Sequence, residues 1–150
     1  MNFRSLIKKV SVASGLAYAG AIPFILAAFL MYWDLERIPV IGDVQKVIDV
    51  YGLIIVVFIA GSFWGIASPL TDKTRVYLML ISNIFTLIAF ISYLWMNSIP
   101  FQLVLVVLFI LLFLVDCWIY FIGLCSRNYV FLRMSVSTIV VTSLLVVFSS

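Results

Sequence analysis

The sequence predicts an all-α fold: a polytopic membrane helix bundle of five transmembrane helices, with a cytoplasmic amino terminus and the carboxyl terminus outside. Three observations predict it. Of 150 residues, 66% are hydrophobic and 10% charged. Soluble domains run at about 45–50% and about 25%, and a globule of this length exposes too much surface to bury the excess. The charges divide the chain into apolar runs of the roughly 20 residues needed to cross a ~30 Å hydrocarbon core. These runs are apolar all round, whereas strands of a membrane barrel alternate over about ten residues. A free soluble monomer is excluded, and so is disorder, which requires low hydrophobicity and high charge.

The first span is expected from about Val10 to Trp33, between Lys9 and Asp34. Its small residues Ser14, Gly15, Ala17, Gly20 and Ala21 suit close pairing with the second span. Pro23 should kink it and free a backbone carbonyl. Lys8 and Lys9 ahead of Ala17-Tyr18-Ala19 imitate a signal peptide, but the apolar run continues to Trp33, so an uncleaved span is expected. Residues 34–49 form the one sizeable loop, on the outer side, broken by Pro39 and Gly42. Val44, Val47 and Ile48 recur there at helical spacing, which suits a short amphipathic surface helix or a plain connector.

The second span runs from about Val50 to Leu70, between Asp49 and Asp72. Gly61 and Gly65 lie four apart on one of its faces, a spacing that admits a neighbouring backbone; packing within the chain is expected ahead of homodimerisation. The third span covers Val76 to Met96, where Asn83 is expected to bond to a neighbouring helix. Asn97-Ser98-Ile99-Pro100 separates it from the fourth, Phe101 to Gly123, and the fifth covers Tyr129 to Phe148. Ser135, Thr138 and Thr142 follow i, i+3, i+7 spacing on the fifth span, a polar stripe expected on the face turned towards protein. Tyr32, Trp33, Tyr51, Tyr77, Tyr93 and Trp95 stand at span ends, and Tyr120 and Tyr129 flank the last hairpin, where amphipathic rings favour the headgroup level. The whole chain, 1–150, reads as one integral membrane domain.

Orientation follows from the basic residues. Arg4, Lys8, Lys9, Lys73, Arg75, Arg127 and Arg133 fall on one side of a five-span chain, against Arg37 and Lys46 on the other, beside four acidic residues. Seven against two places the amino terminus inside.

The chemistry available is sparse. The chain has no histidine, and with it goes the commonest general base and metal ligand. Cys117 and Cys125 make neither a disulfide framework nor a metal cluster. No zinc-binding pair, nucleophile elbow or phosphate loop occurs. We therefore expect no enzyme, no cofactor, no metal and no nucleic-acid partner. Asp116 is the one acidic residue inside a span as these limits are drawn, about 10 Å from the inner boundary at 1.5 Å per residue. Arg133 lies at a comparable depth on the next helix, symmetric with it about Leu124-Cys125. Three readings follow: an Asp116–Arg133 ion pair that clasps the hairpin, a proton or cation relay through Asp116, or Arg133 snorkelling away from it.

Several stretches together resemble one family. They are Leu16-Ala17-Tyr18-Ala19-Gly20-Ala21-Ile22-Pro23-Phe24, Tyr51-Gly52 followed by Phe58, Gly61 and Trp64-Gly65, and Leu114-Val115-Asp116 followed by Tyr120, Gly123, Tyr129, Leu132 and Arg133. In order and spacing they are similar to the transmembrane protein 69-like family, also called domain of unknown function 3429, across about Leu16 to Val147. The family it resembles occurs in bacteria and, as a relative, in mitochondria, and the resemblance implies no established activity. It implies that Asp116, Arg133, Gly61, Trp64 and Gly65 belong to the shared pattern. Phe63 stands where relatives are expected to carry histidine, and the region of Asn83 lacks an expected proline; both departures favour a scaffold over catalysis.

The expectation from sequence is an integral membrane protein with a structural or accessory role, a subunit or assembly factor. Its partners would be membrane lipids and other membrane subunits or copies of itself. The alternative is a small transporter or channel using Asp116. Residues 1–9 are too short for a transit peptide, which favours a bacterial inner membrane over the mitochondrial inner membrane.

Overall fold

The computed structural model describes residue 12, residues 14–39 and residues 42–149. Among the described residues five helices are long and apolar enough to cross a membrane: Ser14–Tyr32, Val44–Ala67, Lys73–Trp95, Pro100–Phe121 and Arg127–Ser149. The protein is an all-α, multi-pass membrane protein. The unbroken carboxyl-terminal part of the first span is α1 (Ile22–Tyr32). A two-residue ladder, β1 (Arg37–Ile38) and β2 (Gly42–Asp43), leads into α2 (Val44–Ala67). Then come α3 (Lys73–Trp95), α4 (Ser98–Phe121) and α5 (Arg127–Ser149). Arg4, Lys8 and Lys9, which weigh in the orientation, lie outside the described residues.

The first span is interrupted at Gly20-Ala21. A proline ring presses on the carbonyl four residues back, which for Pro23 belongs to Ala19. The ladder there tightens, with the Ala21 amide donating to the Tyr18 carbonyl at 3.0 Å. Pro23 itself sits in the first turn of α1, where its missing N–H removes no helical bond. The Gly20 carbonyl accepts the Tyr51 hydroxyl of α2 at 3.0 Å.

The loop between the first span and α2 is short because α2 starts early. Arg37 stands opposite Asp43 and Ile38 opposite Gly42 in the antiparallel pair. Gly42, at φ +108°, supplies a left-handed conformation that glycine adopts without strain. Asp43 caps α2, its carboxylate accepting the amides of Gln45 at 2.8 Å and Lys46 at 3.3 Å. Val44, Val47 and Ile48 are therefore the first turns of a membrane helix, neither a surface helix nor a connector. Asp49 is buried inside α2, so the premise that Asp116 is the one acidic residue within a span is corrected. Helices end where caps satisfy their amides, and a charge in the first turns does not stop one. Helix α4 likewise begins ahead of the expected limit, at Ser98, with Pro100 in its first turn, where a missing N–H removes no helical bond.

In the bundle α2 packs along α3, and against α4 and α1 on its other sides; α5 packs on α4 and α1. Phe24, Phe63, Leu105, Phe109, Leu112, Ile119 and Leu144 fill the core. Phe24 lies 5.2 Å from the Tyr51 ring and 5.8 Å, edge on, from Phe109. Helices α2 and α4 approach closely at Gly52, where an added Cβ would stand 2.5 Å from a Leu105 methyl. Helix α3 is peripheral, with Ile84, Leu87, Ile91 and Leu94 exposed, as suits a surface facing lipid.

Candidate functional site

The sequence of the α4–α5 turn fixes its geometry. Helix α4 closes in a Schellman motif: the Leu124 amide donates to the Ile119 carbonyl at 3.0 Å and the Gly123 amide to the Tyr120 carbonyl at 2.9 Å. Gly123 occupies the left-handed position at φ +79°. The chain then reverses into α5, setting Tyr129 and Arg133, four residues apart on one face, against Asp116. The Arg133 Nε–H donates to Asp116 Oδ2 at 2.6 Å. The Tyr129 hydroxyl donates to Oδ1 at 2.8 Å. Behind them the Cys125 thiol lies 3.9 Å from the Asp116 carbonyl oxygen. The Asp116 side chain has no exposed surface and that of Arg133 has 12%.

Both carboxylate oxygens thus have a donor from within the chain, and a buried charge is compensated by an opposite one. This ion pair ties α5 to α4 at membrane depth. One guanidinium nitrogen, Arg133 Nη2, is buried without a partner. It borders a cavity of about 330 Å³ lined by the start of the first span, the carboxyl-terminal half of α2 and the amino-terminal half of α5. In the turn, burial first, then the Asp116 charge, then Cys117 push the Cys125 thiol above its ordinary range.

A family model described as a protein of unknown function, DUF3429, matches residues 10–149. The chain belongs to this family. No curated protein and no solved structure matches it. The matched region of this DUF3429 protein takes in all five spans and the Asp116–Tyr129–Arg133 cluster.

Other sites expected from sequence fall differently in this DUF3429 chain. Gly61 and Gly65 have open space among the described residues where a side chain would project, so this face of α2 makes no close contact with a described helix. Ala17 and Gly20 of the first span border the cavity with Ser62. The stripe of Ser135, Thr138 and Thr142 is corrected too: Thr138 and Thr142 are exposed and Ser135 is half-buried. Ser135 donates to the Phe131 carbonyl at 3.0 Å and Thr138 to that of Met134 at 2.8 Å. A hydroxyl satisfied on its own helix needs no protein neighbour. The buried hydroxyls of α5 are instead Ser137 and Ser143. Asn83 donates to the Met79 carbonyl of its own helix at 3.0 Å, and not to a neighbour.

Two polar residues lie outside the sites expected from sequence. Tyr129, a boundary aromatic by its place at the start of the fifth span, shares one face with Arg133 through its i, i+4 relation. Gln102 is fully buried on α4 with neither amide atom bonded. It lies three residues ahead of Leu105, and buried Asp49 lies three ahead of Gly52, so a second polar level flanks the close α2–α4 approach.

Proposed function

We propose that this DUF3429 protein is a structural or accessory membrane component, a subunit or assembly factor packed against other membrane proteins or copies of itself, with no catalysis of its own. The observation that carries this reading is the closure of Asp116: both its oxygens are engaged by α5 side chains and none of its side-chain surface is exposed. A relay must exchange its proton with water, and a clasp must not. We place it in the bacterial inner membrane, with the amino terminus inside. Lys73 and Arg75 at the α2–α3 junction and Arg127 at the α4–α5 junction support that orientation, against Arg37 and Lys46 on the opposite side.

The test compares Asp116→Asn with the reversed pair Asp116→Arg/Arg133→Asp. The single variant should lose stability, the reversal should regain part of it, and the unaltered chain should co-purify with membrane partners in mild detergent. Were Asp116→Asn to abolish proton flux into reconstituted vesicles with assembly intact, Asp116 would belong to a transport path instead.

A further inference from the structure

The cavity below the Tyr51–Gly20 bond has polar groups along one edge of an otherwise apolar wall. Ser137 is 6% exposed, and its hydroxyl has no partner. It differs in this from Ser135 and Thr138, which bond back to their own helix. Arg133, four residues earlier on the same face, has its Nη2 buried and unpartnered. Both residues line the cavity, whose remaining wall includes Leu16, Ile55, Phe58 and Val136.

The chemistry of these groups selects the occupant. Guanidinium N–H groups only donate, so the complement at Arg133 is an acceptor. The Arg133 charge is already met by Asp116, and an anionic phosphate would bring an uncompensated charge into a buried place. A neutral carbonyl on an apolar chain fits. Leu16 and Phe58 are 68% and 74% exposed, on surfaces that face the bilayer, so the cavity opens sideways into lipid. Arg133 lies six residues beyond Arg127, about 9 Å along the helix, near the boundary between headgroups and hydrocarbon. The lipid itself is present there in great excess, which favours occupation by mass action.

We propose that this cavity is a binding site for a membrane glycerolipid, with one acyl chain along Leu16, Ile55, Phe58 and Val136 and its ester carbonyl accepting from Arg133 Nη2 and the Ser137 hydroxyl. The site is separate from the accessory role and holds whether or not that role does.

The full chain in detergent is titrated with a diacyl phosphatidylcholine and with its dialkyl ether analogue of equal chain length, which lacks the carbonyls. Binding is read from the rise in unfolding temperature. The diester should bind on the order of tenfold more tightly, the effect of about two neutral hydrogen bonds. Ser137→Ala should remove much of that preference, and Ala17→Phe, which fills the cavity, should remove both binding and preference. Equal protection by the two lipids in the unaltered chain overturns the proposal. So does a preference that survives both substitutions, or stronger protection by a short-chain prenyl quinone than by the diester.

Discussion

Asp116 accepts from two residues of the same helix, and the two bonds differ in kind. The bond to Arg133 joins opposite charges; the bond to Tyr129 brings a neutral donor to a charged acceptor. Removing the Asp116 charge leaves a buried guanidinium uncompensated, so Asp116→Asn is expected to cost about 3–5 kcal/mol. Tyr129→Phe forfeits one hydrogen bond to a charged group, about 1.5–3 kcal/mol. Thermal unfolding of both variants in detergent should rank them in that order. The turn offers an independent reporter. The raised Cys125 pKa, caused by burial, then Asp116, then Cys117, leaves less thiolate than a free cysteine has at any given pH. Since the thiolate is the reactive form, iodoacetamide labelling in a Cys117→Ser background should climb to a more alkaline plateau than that of free cysteine. Asp116→Asn should move this plateau to lower pH. The 116–133 pairing was legible from counting residues about the turn. The role of Tyr129 was not, because an aromatic near a span end has two equally good uses.

At the scale of helices, composition fixes that an apolar run spans, while caps fix where it stops. Reading between charges therefore located five helices and misplaced the start of α2, since Asp43 caps it and Asp49 lies within it. Azimuth was harder still. Ser135, Thr138 and Thr142 do share a face, but whether it meets protein depends on where neighbouring helices stand, and a hydroxyl that bonds its own turn is silent on the matter. The cavity was illegible for a related reason: small residues on two facing helices signal approach, yet Ala17, Gly20 and Ser62 border a cavity instead. The α2–α4 contact offers a direct check on packing. A methyl at position 52 would meet Leu105, itself fully buried, so Gly52→Ala should destabilise by about 1–3 kcal/mol. Leu105→Ala opens the space that this methyl needs. Unfolding free energies of the double mutant should therefore show less than the sum of the two losses, with coupling above about 0.5 kcal/mol.

For the molecule as a whole, the glycine face of α2 is a test surface for the proposed accessory role. Among the described residues, no side chain or backbone lies within 4 Å of a Cβ built at Gly61 or Gly65. Gly61→Leu and Gly65→Leu should leave thermal unfolding of the isolated chain within about 0.5 kcal/mol of the parent. Under the proposed role, they should diminish co-purification with partners if this face is the contact. The two readouts separate a defect in the protein from a defect in its assembly.

The short reversal between α4 and α5 also has a consequence for biogenesis. A carboxylate or a guanidinium at the centre of an inserting helix costs about 2.5–3.5 kcal/mol each on translocon scales. Asp116 emerges from the ribosome first, and its counter-charge follows seventeen positions later, after a turn too tight to admit another segment between them. The last two helices are therefore suited to leave the insertion machinery as one neutralised hairpin. Nascent chains ending at Gly123 should integrate less efficiently than chains carried through Phe148, as scored by glycosylation or protease protection, and Asp116→Leu should erase the difference.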